Sequence, residues 1–200
     1  LQYGQTYHIY NRGNNRENIF YEERNYRYFL QLYARYIEPI AHTFCYCQLR
    51  NHFHVLVRIK TIEEQETYHQ AQQIERPFKP RRPSQQFGNL FNAYAKAINH
   101  AYQRTGSLFE HPFRRILIES DAHYMQLVAY IHRNPEKHGF VGDFRAWPYS
   151  SYHTLLSDKP TRLQRADVLD WFDGQERFQA YHRTEVDERQ IAPLTLDDLT

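Results

Sequence analysis

His52 and His54 flank a single phenylalanine in NHFHVLVR, residues 51–58. Alternate side chains of an extended strand share a face, so both imidazoles project from one side. Phe53, Val55, Val57 and Ile59 make the other face apolar, while Leu56, Arg58 and Lys60 accompany the histidines. Two imidazoles held together are the beginning of a divalent-metal site. A second pair, Tyr130 and Asn134, lies four residues apart in DAHYMQLVAYIHRNP. On a helix these stand one turn apart, about 100° round from the stripe of Tyr124, Leu127, Val128 and Ile131. The stripe is expected to be buried and the Tyr130–Asn134 pair to flank the core. A carboxamide oxygen can serve as a third metal ligand. A phenol, with an ordinary pKa near 10, becomes a useful nucleophile toward a phosphate polarised by a metal ion.

The elements that must position these groups are legible in outline. TYHIYNR reads as a short strand broken by the Asn11–Asn15 turn cluster. Tyr26, Phe29, Leu30, Tyr33 and Ile37 repeat at helical spacing and are closed by Pro39. Residues 43–49 and 52–60 form two strands, joined in a hairpin at Arg50-Asn51. Residues 61–83 read as a long basic loop. Ser84 is placed as the cap of a second helix carrying Phe87, Leu90, Phe91, Tyr94 and Ile98. A strand near 114–119 precedes the third helix, capped by Ser120 or Asp121 and stopped by Pro135. The order β-α-β-β-α-β-α predicts an α+β fold with a ferredoxin-like split βαβ core. Its antiparallel sheet would carry helices on one face and leave the other for function. Residues 1–156 are expected to form this unit, and 157–200 a small C-terminal helical extension with short helices at 165–172 and 175–183.

Composition narrows the partner. Residues 1–150 hold 19 Lys and Arg against 13 Asp and Glu, a charge of +6, whereas residues 151–200 carry −4. A basic body suits a polyanion. Arg12, Asn14 and Arg16 in the first loop are candidate phosphate contacts. So are Lys79, Arg81, Arg82, Arg114 and Arg115, taken as a cluster. No apolar run is long enough to cross a bilayer, nothing reads as a signal peptide, and two cysteines suit a reducing cytoplasm.

Beyond these readings, YHIYNRGNNRENIF, NHFHVLV, FGNLFNAYAKAINHAYQRTGSLFEHPFRR and YIHRNPEKHGFV resemble the REP-associated tyrosine transposases. These belong to the single-tyrosine HUH transposase superfamily. The resemblance covers residues 3–156, and VLDWFDGQERFQAYH in the tail is also similar. It implies a metal-dependent single-stranded DNA endonuclease and strand transferase acting on hairpin DNA through a 5′-phosphotyrosine. Tyr130 would be the nucleophile, and His52, His54 and Asn134 would hold Mg²⁺ or Mn²⁺. Related transposases carry Gln where Asn134 stands, and commonly Met-Pro-Asn-His where this chain has Leu49-Arg50-Asn51-His52. Three alternatives remain open at this level: a nuclease that uses water, a non-catalytic hairpin-binding protein, and a zinc site in which Cys47 pairs opposite His54. Whether the chain forms a homodimer, with Tyr130 serving a partner's metal, is also open.

Overall fold

The computed structural model describes residues 1–120 and 122–184. Four strands, β1 (Thr6–Arg12), β2 (Ala41–Gln48), β3 (His52–Ile59) and β4 (Arg114–Ile118), form one antiparallel sheet in the order β2-β3-β1-β4. The helices are α1 (Glu23–Tyr36), α2 (Ile62–Ala71), α3 (Pro83–Ala101), α4 (Ala122–Lys137), α5 (Tyr152–Leu156), α6 (Arg165–Trp171) and α7 (Gln175–Arg183). The fold is α+β, as expected.

Register decides what each sheet face carries. Ile9 lies opposite Val55, and Asn11 opposite Phe53. This face meets α1 and α3, where Phe53 packs 5.0 Å from Phe29 and 5.7 Å from Phe91 between ring centroids. The other face presents His8, Tyr10 and Arg12, with Tyr10 opposite His54 and Arg12 opposite His52. The sequence reading leaves this second face open. In the structure α4 lies across it, with Tyr130 5.8 Å from His54 between ring centroids. Tyr130 and Asn134, expected to flank the core, are therefore buried, at 3% and 0% exposure. Helical periodicity locates a stripe but not a second contact surface covering its neighbour. Tyr124, by contrast, is only partly buried and stacks on Trp171 of α6 at 4.6 Å.

Three boundaries differ from expectation for local reasons. Residues 62–71 are a helix rather than loop; Gln65 is its one buried residue, so no apolar stripe marks it. Its start is nevertheless written in sequence, because Thr61 and Glu64 cap each other's backbone in a capping box. α3 begins at Pro83, after Arg82 rather than Ser84, since proline suits the first helical position. α4 runs through Pro135 to Lys137. A proline this close to the helix end forfeits one late hydrogen bond. The chain then turns at Gly139 (φ +69°), and the amides of Phe140 and Val141 close onto the Pro135 carbonyl. Asp121, the alternative cap, lies outside the described residues.

The C-terminal elements pack back on the sheet. Backbone bonds from Gln48 to Tyr149, Ser151 to Tyr46 and Gln164 to Thr43 cover the outer edge of β2. Helix α7 is tied to α4 by a buried chain. His182 Nδ1 donates to the Phe178 carbonyl (2.7 Å), His182 pairs with His132 (2.8 Å), and His132 with Ser151 Oγ (2.8 Å). Burial pushes His132 well below its usual range and His182 to about 4. Unfolded imidazoles take up protons near pH 6.5, so the unfolded state binds more protons below that pH. Stability is therefore complete above pH 6.5 and falls as the pH drops toward 4. Thermal unfolding across this window is expected to show the decline, with a flatter profile for His182→Leu.

Candidate active site

The β2–β3 hairpin aims the two histidines. Leu49 N donates to His52 O (2.8 Å), closing the tight turn at Arg50-Asn51. The Arg50 carbonyl accepts from Ile19 and Phe20, and the Asn51 carbonyl from Gly13 (2.7 Å). The loop after β1 thus pins the turn from outside. Gly13 is required there, because a Cβ would lie 2.0 Å from the Glu17 carbonyl oxygen.

Each candidate ligand is held by its other polar atom. His52 Nδ1 bonds Asn51 Oδ1 at 2.7 Å, and His54 Nδ1 bonds His8 Nε2 at 3.0 Å. Asn134 Nδ2 donates to the Tyr130 carbonyl at 2.9 Å. His52 Nδ1 donates to Asn51 and leaves its Nε2 a lone pair; His54 Nε2 does the same in the tautomer in which His54 Nδ1 donates to His8. His52 Nε2, His54 Nε2, Asn134 Oδ1 and Tyr130 Oη are all buried without a hydrogen-bond partner in the protein. A buried polar atom left so costs about 1–3 kcal/mol, and four in one neighbourhood mark a place built to hold something else. Burial, reinforced by neighbouring His138 and Arg12, pushes His52 down to about 3, against a smaller opposing effect of Asn134. Burial, then His52 and His8, pushes His54 well below its ordinary value. Neutral imidazoles with free lone pairs fit a divalent cation. The zinc alternative fares differently. Cys47 does pair opposite His54, yet among the described residues no group of three or more His, Cys, Asp or Glu is disposed to hold a metal. The phenol faces imidazoles of its own chain.

Other residues join the site that sequence reasoning did not single out. His8 is fully buried, stacked 4.9 Å from Tyr10 and 5.1 Å from His54 between centroids. Its signal was the alternation of TYHIYNR, which puts His8 and Tyr10 on one face; only strand pairing shows that face to be the one with His54. His138, one turn beyond Asn134, lies 4.9 Å from the His52 ring. Lys137 sets its ammonium 5.1 Å from the Tyr130 ring centroid. Replacing His8 by Phe is expected to weaken Mn²⁺ binding about 10–100-fold, the usual cost of losing an outer-shell partner. His8→Gln, which retains an acceptor, should restore most of it in calorimetric titration. Equal affinity in all three proteins would remove His8 from the site.

The cationic candidates are dispersed. Arg12 lies opposite His52 in the register, while Asn14 and Arg16 are exposed in the short 3-10 turn that follows. Arg114 and Arg115 do not act as one cluster, because strand alternation sends them to opposite faces. Arg114 pairs with Tyr10 on the histidine side, and Arg115 with Ile9. Lys79, Arg81 and Arg82 lie beside α2, past the far end of β3.

The four-stranded antiparallel sheet and the helices packed on it are similar in fold to a REP-associated tyrosine transposase. One such solved structure, a REP-associated tyrosine transposase bound to a REP hairpin, matches with a TM-score of 0.56. The match covers 80% of this chain and 84% of that one at 18% identity, a likeness of fold. In sequence, the chain is similar to a Haemophilus influenzae protein assigned as a REP-associated tyrosine transposase, 36% identical over 55 residues. That stretch is 28% of this chain and 31% of the relative, so it spans about a third of the relative's length. No family model matches the chain. No described helix is long and apolar enough to cross a membrane.

Proposed function

We propose that this protein cleaves and rejoins single-stranded DNA beside hairpins, with Tyr130 as nucleophile and a divalent ion held by His52, His54 and Asn134. The observation that supports the reading is that four buried polar atoms without a hydrogen-bond partner belong to neighbouring residues of β3 and α4, with His54 5.1 Å from His52 and 5.8 Å from Tyr130 between ring centroids. Mg²⁺ or Mn²⁺ bound there would polarise the scissile phosphate and offset its charge. Mixed nitrogen and oxygen donors suit Mn²⁺ readily and Mg²⁺ by abundance.

The chain's own residues supply the remainder. Tyr130 Oη attacks phosphorus, forming the O–P bond of a 5′-phosphotyrosine as the bond to the 3′ oxygen breaks. The phenol gives up one proton and the departing 3′ oxygen takes up one, so the step is neutral in protons and ends in a 3′-hydroxyl. Phosphodiester energy is kept in the new bond, so a second 3′-hydroxyl can displace Tyr130 without ATP. Burial of Tyr130 between α4 and β3 limits its rotamers and orients the oxygen. Lys137 places positive charge beside the ring whose oxygen gains charge if it is deprotonated. Arg12 and Arg114 lie on the same sheet face and are the cations best placed for the strand entering the site. The solved relative's hairpin supports structured DNA as the partner. Labelled single-stranded hairpin DNA should yield an SDS-resistant protein adduct in Mn²⁺ and none in chelator; a nicked product with no adduct would show water to be the nucleophile.

A further inference from the structure

A second feature lies well away from Tyr130. Arg76, Lys79, Arg81 and Arg82, with Gln85 and Gln86, line a groove of about 580 Å³ between α2 and α3. No carboxylate lines it, and none of the four cations makes an ion pair among the described residues. Several arginines elsewhere are partnered: Arg58, Arg104, Arg133, Arg145 and Arg177 each have an acidic neighbour. Four cations left together, at a cost in mutual repulsion, define a polyanion surface.

The groove is also built. Buried Gln65 accepts from Arg81 N at 3.0 Å, fixing the loop against α2. Pro77, Pro80 and Pro83 limit its backbone freedom. Among the described residues no Phe, Tyr or Trp lines it and His69 is its one aromatic ring, so it offers little of the stacking that holds unpaired bases. Its chemistry fits sugar-phosphate backbone.

Its position gives the length scale. β3 begins at His52 and leaves the sheet at Ile59, three residues before α2. The seven steps of β3, ~3.3 Å each, cover about 23 Å of sheet between its His52 end and its Ile59 end, and the groove lies toward the latter, where Gly4 bonds Ile59 and Leu1 N bonds Ser84 Oγ at the start of α3. A neighbouring hollow shares Lys79 and Arg81 and is walled by Ala34 and Arg35 of α1, which places the groove on the sheet face opposite α4. A span of that order is several base pairs at ~3.4 Å each.

We infer that this groove holds the backbone of a DNA hairpin's double-stranded stem, at a second contact remote from the cleavage point. The inference rests on the hairpin-DNA reading above and deepens it. Fluorescence anisotropy would follow binding of hairpins with one constant single-stranded flank and stems of about three to about twelve base pairs, about 10 to about 41 Å long at ~3.4 Å each. Parent affinity should step upward once the stem is long enough to reach the groove. Arg76→Gln/Lys79→Gln/Arg82→Gln should abolish the step, weaken long-stem binding at least ~10-fold and flatten the log-log salt slope by about 2.7. Its affinity for the stemless flank should equal the parent's. Lys79→Gln alone should give about a third of the slope change, guarding against misfolding of the triple variant. No step in the parent, a step kept in the triple variant, or equal losses with and without a stem would each overturn the groove assignment. The readout needs no cleavage, so it is independent of Tyr130. Failure to bind any hairpin would overturn the groove and the hairpin reading together, whereas loss of adduct alone would touch only the chemistry.

Discussion

His54→Ala is expected to abolish Mn²⁺- or Mg²⁺-supported DNA cleavage and to reduce Mn²⁺ affinity by more than the ~10–100-fold of an outer-shell loss. The imidazole occupies the centre of the site. Its Nδ1 is bonded to His8, its Nε2 is unpartnered, and its ring faces Tyr130. Removing it also takes away the His8 hydrogen bond and the ring stacked on His8 in the buried face of the sheet, so thermal stability should fall as well. His52→Ala separates the two effects. His52 sits at the hairpin end, 8% exposed, and its Nδ1 partner Asn51 is a turn residue. It should lose metal and cleavage with a smaller change in melting temperature. Parental Mn²⁺ affinity in both variants would contradict the ligand assignment.

Tyr130→Phe should be the cleanest separation of stability from function. The phenol oxygen is buried and has no partner in the protein, so deleting it removes a desolvated polar group and costs no hydrogen bond. The melting temperature should hold or rise, by an amount worth up to about 1–3 kcal/mol. Cleavage and adduct should vanish while hairpin binding survives. Tyr124→Phe is the control. Its ring stacks on Trp171, on the part of α4 that meets the C-terminal helices, and activity should persist. Cleavage by Tyr130→Phe at the parental rate would identify a water-using nuclease. Hairpin binding by a parent protein that never cleaves would identify a binding protein.

Much of the geometry of the candidate site was legible because its parts follow short-range rules. Strand alternation puts His52 and His54 on one face, and helical pitch stacks Tyr130 over Asn134. What those rules omit is the third dimension. Nothing within α4 says that its Tyr130 edge lies on the sheet, so the phenol reads as flanking the core when it is buried. His8 belongs to the site only through the β1–β3 register, which a seven-residue strand does not reveal by itself. The same alternation, applied to Arg114 and Arg115, would have separated them in advance. Helix α2 lacked an apolar face yet carried a visible capping box at Thr61 and Glu64. The groove beside it needed the fold, because only Gln65 bonding to Arg81 shows that the basic loop is held rather than free.

The central claim is a covalent bond between Tyr130 and the 5′ end of cleaved DNA. Its most direct test is to react the protein with labelled hairpin DNA in Mn²⁺, digest the SDS-resistant adduct with nuclease and protease, and sequence the modified peptide by mass spectrometry. The account predicts a nucleotide phosphate on Tyr130 in the peptide preceding Arg133. Modification at any other residue, or efficient cleavage without a modified peptide, would contradict it.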